Sequence, residues 1–559
     1  MSPPPTTLDA RPEVVTRTGT APARAPWIER ATSPDHKSVA RLYLGGAASF
    51  LVIALVQWAL MRVQLIVPDS TIIVPETFSR LLSASGVTFA VLFCVPLVLG
   101  IAGYVVPLQI GARGVALPRL NLLSAWLYLA GSIVLYTSFA YTPGEGGVLG
   151  LPPLSDTVFN PSRGMDNWIM GVGLATAGFV LFAVNMIVTV RKMRAPGMAW
   201  RRLPLFSWAV TVLSYVLLVV GPVMIAALAM LTIDRHFDGV FFDGAEGGSP
   251  LLYQHLVYLY MTGIYTIVVL FAAGVLSEIV PTMARKPIFS HRSAAIAIVA
   301  IGVLMPLAWM QNMYSAPVAE GFQYAAMAVA LALVIPVGTL FSIWIATLWR
   351  GAVAVNAPLL FAAAAISALG LGLAGELAYS VIPVGWQLAH TTASQGDTLY
   401  VLVGGAVFGG FAALHYWLPK ITGRMVGEGL AKAALAQMLV GLNLYVLMMF
   451  FAGLEGQQVD IFRYPEDVGL STLNLFASIG AFIFVIGALL ELGVLAHGYS
   501  QGRMAGHDPW GGSTLEWFAL SPPPAHNFDA VPDVRSGEPL LDIRDAVRRG
   551  ADRNDASVS

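Results

Sequence analysis

Twelve long apolar stretches separated by short polar connections dominate the hydropathy pattern of this chain. They run at 40–64, 85–109, 120–142, 166–190, 204–232, 252–280, 293–315, 323–349, 355–382, 396–418, 432–453 and 472–498. Each is about 20 to 30 residues long, enough to cross a bilayer at a rise of ~1.5 Å per residue. Backbone groups find no water in hydrocarbon, so runs of this length predict helices that satisfy themselves. The sixth organises the rest. Ser249 to Ser290 opens on a polar edge, crosses an apolar span and stops at Glu278, Pro281, Arg285 and Lys286. Thr262, Tyr265 and Thr266 interrupt that span, and no histidine lies between His255 and His291. The expected fold class is an all-α integral membrane protein, a twelve-transmembrane-helix bundle.

The flanks and loops complete this picture. Residues 1–32, rich in Pro, Thr and Ala, read as a disordered cytoplasmic tail without a secretory signal. Residues 33–500 hold the membrane domain, and 501–559 form a charged, Pro- and Gly-containing cytoplasmic extension. Connections after even-numbered helices carry 14 basic residues, from Arg113 to Lys432, against five (Arg62, Arg80, Arg163, Arg235 and Arg463) near the odd ones. That bias predicts both termini in the cytoplasm, in a bacterial inner (plasma) membrane.

Composition narrows the function classes. Of 559 residues 57% are hydrophobic and 11% charged, whereas soluble domains carry about 25% charge. Mean hydropathy is +0.71. With 31 basic and 32 acidic residues, the net charge of −1 gives no footing for a nucleic-acid partner. Cys94 is the only cysteine, which excludes intrachain disulfides and multi-cysteine metal centres.

Several long strings resemble subunit I of the heme-copper oxidases, the family that includes cytochrome c oxidase. They are SPDHKSVARLYL (33–44), VVPLQIGARGVALPRLNLLSAWLYL (105–129), TIDRHFDGVFFDGAEGGSPLLYQHL (232–256), EIVPTMARKPIF (278–289), GGAVFGGFAALHYWLPKITGRM and DPWGGSTLEWFALSPPPAHNF (508–528). The resemblance extends from 33 to 528 and implies that family's twelve-helix fold. Its activity would be electron transfer to oxygen with proton pumping. It implies two hemes and a copper held by six histidines, because low-spin iron takes two imidazoles and copper three.

Carried over residue by residue, those histidines are absent. The heme positions fall at Ser85, Asp397 and Leu399, and the copper positions at Thr262, Gln311 and Asn312. The tyrosine and glutamate near copper fall at Thr266 and Ile264, and the proton-path aspartate and lysine at Gly114 and Leu340. The propionate-binding arginines fall at Val459 and Asp460. The expectation is therefore no bound heme or copper and no catalytic residues, a chain inactive by itself. Of the nine histidines, His255, His390, His415 and His497 lie near helix ends and offer no facing pair for a heme. Glu376 and Asp397 are the carboxylates to watch within the spans; Asp397 also reads as an anion at a helix start.

Three readings follow. The first is a non-redox structural or regulatory subunit, partnered by subunit II- or III-like chains or a catalytic subunit I. The second is an active terminal oxidase with atypical ligands. The third is a transporter or a lipid- or quinone-binding protein using the emptied cavity. Any void left by a heme should be closed by Phe89, Leu399 and Tyr400 or filled by an apolar ligand, because cavities cost roughly 24 cal/mol per Å³. Thr262, Thr266, Gln311 and Asn312 should hydrogen-bond to one another as a neutral staple.

Overall fold

The structure is a computed structural model and describes residues 27–531 and 533–544. Most of the expected tail 1–32 lies outside the described residues, though Trp27–Thr32 form a short helix. No strand is formed among the described residues. Among the described residues, twelve helices are long and apolar enough to cross a membrane. They are α1 His36–Gln64, α2 Pro75–Gln109, α3 Pro118–Ala140, α4 Arg163–Lys192, α5 Leu205–His236 and α6 Pro250–Ala284. There follow α7 His291–Met313, α8 Glu320–Leu348, α9 Ala357–Ser380, α10 Thr392–Thr422, α11 Glu428–Leu454 and α12 Ser471–Gln501.

Local chemistry sets many of the ends. Asp35 caps α1 by accepting from the Lys37 amide, and Pro75, Pro118 and Pro250 open their helices where a missing N–H costs nothing. Gly423, at φ +72°, ends α10 in the left-handed conformation that glycine adopts without penalty. Most consecutive helices pack as neighbours, and α12 returns to α1. α2, α6 and α10 are buried along most of their length, whereas α8 is the most exposed. Small residues allow the closest approaches. A Cβ on Gly441 would lie 2.6 Å from the Gly480 carbonyl oxygen, so α11 and α12 touch backbone to backbone.

Two central helices are irregular. α2 contains a π-helical turn at Thr88–Cys94, and α10 one at Val403–Phe408. Such turns each absorb an extra residue and concentrate at functional positions. α8 breaks between Ala332 and Val334.

The segment after α12 folds back onto the helix ends. The buried ammonium of Lys420 donates to the Ala519 carbonyl at 2.7 Å, and Trp510 donates to the Tyr416 carbonyl at 2.9 Å. Asn527 donates to the Ala112 carbonyl at 2.9 Å. Leu515, Trp517, Phe528 and Val534 are buried there.

Candidate functional site

Glu376 on α9 is the point where the bundle gathers its polar side chains. Tyr265 of α6 donates to its Oε1 at 3.1 Å, Thr398 of α10 donates to the same oxygen at 3.2 Å, and Gln311 of α7 donates to Oε2 at 3.4 Å. Three neutral side chains thus converge on one carboxyl group, which accepts through both of its oxygens. Asp397 packs on the same side of α9, directly against Gly375. It lies in the second turn of α10, not at its first residues, so it is not the helix-start anion that the sequence suggests.

A cavity of about 420 Å³ adjoins Glu376. Thr262, Tyr265, Gln311, Asn312 and Thr398 line its polar end, and Met261, Met305, Leu333, Val337, Phe341 and Leu373 its apolar walls. Val334 and Gly338 on α8 and Ala374 on α9 line it too and are exposed on the outer face of the bundle.

The expected four-residue staple forms only in part. Asn312 donates to Thr262 Oγ1 at 3.4 Å and to the Trp309 carbonyl at 3.2 Å. Thr266 instead donates to the Thr262 carbonyl of its own helix at 2.7 Å, the usual resort of a hydroxyl on a buried helix. Gln311 reaches away from the group to Glu376 because a carboxylate is the stronger acceptor. The remaining positions scatter. Ser85 donates to the Leu82 carbonyl of its own helix at 3.0 Å. Leu399 and Phe89 pack part-buried against the main core, and Tyr400 donates to Asn443 Oδ1 at 2.7 Å. Those bulky side chains do not close the cavity beside Glu376.

Elsewhere, polar groups are engaged with one another. His415 contacts Glu491 of α12 at 2.7 Å and stacks on Phe361, His390 contacts Ser315 at 2.6 Å, and His255 accepts from Trp309 at 3.3 Å. Arg62, read from the sequence only as a charge at a helix end, is buried. It donates to the Asn474 carbonyl at 2.9 Å and Ser478 Oγ at 2.9 Å, with no carboxylate within ion-pair distance among the described residues. Its neutral partners lie more than 400 positions away, which no local pattern reveals.

The profile of the family described as cytochrome c and quinol oxidase polypeptide I matches residues 38–483. Cytochrome c oxidase subunit 1 of Thermostichus vulcanus is 34% identical over 504 residues, covering 90% of this chain and 91% of the relative. The subunit of the same name from Bacillus subtilis strain 168 is 33% identical over 515 residues, covering 91% and 82%. A heme-copper terminal oxidase dimer solved by cryo-electron microscopy superimposes with a TM-score of 0.71 at 14% identity, over 89% of this chain and 88% of that one, a likeness of fold. The chain belongs to the cytochrome c and quinol oxidase polypeptide I family.

Membership corrects the expectation of no cofactor. The family is that of heme-copper oxidase subunit I, which binds heme and copper, and the relatives are named as oxidase subunits. The residues here do not fit those groups. Thr262, Gln311 and Asn312, set at the copper positions by the resemblance alone, offer a hydroxyl and two carboxamides, where copper prefers imidazole nitrogens, and Gln311 and Asn312 donate to Glu376, Thr262 and the Trp309 carbonyl. Of the residues that the resemblance sets at the heme positions, Ser85 is bonded within its own helix, Leu399 has no ligating atom, and Asp397 offers a carboxyl where a heme iron prefers an imidazole.

Proposed function

We propose that this member of the cytochrome c and quinol oxidase polypeptide I family serves as a structural or regulatory subunit of an oxidase-type membrane assembly, without itself passing electrons to oxygen. One observation carries the reading. Thr262, Gln311 and Asn312, which the sequence resemblance sets at the copper positions, bond to Glu376 and to each other, and with Tyr265 and Thr398 they tie α6, α7, α9 and α10 together. Partners of the subunit II or III kind, or a catalytic subunit I, are the expected company, in lipid of a bacterial inner membrane with both termini cytoplasmic. The loop-charge bias supports that orientation.

The test is to purify the tagged chain from its own membrane. The co-purifying subunits are identified and oxygen uptake is measured with reduced cytochrome c or quinol as donor. Co-purification with oxidase-type subunits, and no oxygen uptake by the isolated chain, is the expected result. Oxygen uptake by the isolated chain refutes the reading in favour of a second one, an active oxidase subunit, which the relatives' names favour. Labelling of a cysteine at Ala199, exposed in the basic loop after α4, should come from the cytoplasmic side.

A further inference from the structure

We propose that the cavity beside Glu376 binds a small apolar organic cation, an ammonium group carried on a hydrocarbon or aromatic body. The first argument is charge. Glu376 takes three hydrogen bonds, all from neutral side chains. None of the residues lining the cavity is Lys, Arg or His, and no ion pair to Glu376 is formed among the described residues. A carboxyl inside an apolar bundle is neutralised by a proton or by a positive partner, and the described residues supply no such partner, which leaves that place to a cationic ligand. A second carboxyl, Asp397, packs against the residue before Glu376.

The second argument is the balance of donors and acceptors. Tyr265 and Thr398 each have one hydroxyl hydrogen, and both are directed at Glu376. The amide hydrogens of Asn312 go to Thr262 and the Trp309 carbonyl. The Thr262 hydroxyl hydrogen and one Gln311 amide hydrogen are left to a ligand's acceptor beside the carboxylate. Of these groups only the carboxylate carries charge, so the site favours a cation, which needs a counter-charge, over a neutral quinone.

The third argument is shape. The walls are hydrocarbon, and Tyr258, Tyr265 and Phe341 add aromatic faces of the kind that attract cations. About 420 Å³ is the scale of sites for small organic ligands. Val334 and Gly338 open the cavity on the outer surface of α8, where the adjoining Ile335 is 75% exposed, so entry is from the hydrocarbon of the bilayer. This inference goes beyond the assembly role, and neither stands or falls with the other.

The experiment uses the purified full-length chain in nanodiscs of zwitterionic lipid, with benzyltrimethylammonium as the probe in equilibrium dialysis. Neopentylbenzene, its neutral isostere, and 1,4-naphthoquinone are run beside it. Saturable one-to-one binding of the cation is expected, weakened at least about tenfold by Glu376→Gln, because removing a desolvated charge partner costs far more than removing a rim charge. Val337→Trp, which fills the wall and leaves Glu376 in place, should abolish binding even if Glu376→Gln fails to fold. Equal or tighter binding of neopentylbenzene or naphthoquinone overturns the proposal, as does no saturable binding of the cation, or cation binding that survives a folded Glu376→Gln or Val337→Trp protein.

Discussion

Gly375 offers the most direct way to ask how α9 and α10 hold the carboxylates in place. It precedes Glu376, and a methyl group built on it falls on the Asp397 carboxyl group, with Oδ1 2.6 Å away. One turn earlier Gly372 is similarly tight, its Cβ position lying 2.6 Å from Val401 Cγ2 and 2.8 Å from the Asp397 carbonyl oxygen. Two effects of Gly375→Ala oppose each other. Alanine is favoured over glycine inside a helix by about 1 kcal/mol, while overpacking costs about 1–3 kcal/mol. The net loss should be about 0–2 kcal/mol with Asp397 present. In an Asp397→Ala background the obstacle is gone, and the same change should gain up to about 1 kcal/mol. The coupling between the two positions, about 1–3 kcal/mol, is the quantity to measure. Four proteins, wild type, the two singles and the double, are melted in one detergent while the fluorescence of the 13 tryptophans is followed. A kilocalorie moves Tm by about 2–4 °C in domains of 150–250 residues and by less in a longer chain, so all four belong in one paired run. If Gly375→Ala shifts Tm equally in both backgrounds, Asp397 does not occupy that space and the packing account of this interface is wrong.

Other expectations are quicker to check. Asn312→Leu removes the 3.4 Å bond to Thr262 and should cost about 0.6 kcal/mol in thermal melts, the usual worth of an interhelical bond in a membrane. Lys420→Met leaves the Ala519 carbonyl without its 2.7 Å partner. It should loosen the segment after α12, seen as faster trypsin cleavage at Arg535, at a cost of about 1.5–3 kcal/mol. Glu516 lies outside the spans, fully buried, with Oε2 unpartnered, and burial pushes its carboxyl above the usual range. Its folded-state value being raised, its stabilising share is full below the ordinary carboxylate value of about 4.3 and is lost as pH rises through the folded value. Glu516→Gln should therefore match wild type near pH 4 and become the more stable protein in urea or thermal melts as pH rises; a constant gap across that range would refute the assignment.

The twelve spans are legible in the sequence because hydrocarbon leaves the backbone no alternative to self-bonded helices. Their ends are less so. The pattern starts α2 at residue 85, yet the helix begins at Pro75, since residues 75–84 form an amphipathic start whose Arg80 pairs with Glu145 at 2.7 Å. The π turns leave no trace in an apolar run, where every phase looks alike. Glu376 was visible as an ionisable group in the wrong solvent, but its role as a shared acceptor was not. Tyr265, Gln311 and Thr398 come to it from three other helices, 111, 65 and 22 positions away. For the same reason Gln311 was expected to join Asn312 and Thr262. A list of equivalent positions says which residues face a common centre, not which acceptor wins there.

The π turn at Val403–Phe408 divides α10 into two stretches that answer to different partners. Before it, Thr398 meets Glu376 on α9; after it, His415 meets Glu491 on α12 and Lys420 grips the tail. One residue is worth about 100° of rotation in a plain α-helix, and the wide turn takes up that slip so that both stretches face correctly. A single deletion among Gly404, Gly405 and Ala406 would let the backbone close into a regular α-helix with both stretches still facing their partners. In this helix the surplus residue is spent on local widening of the backbone, and the carboxylate cluster and the anchored end keep their common register through it.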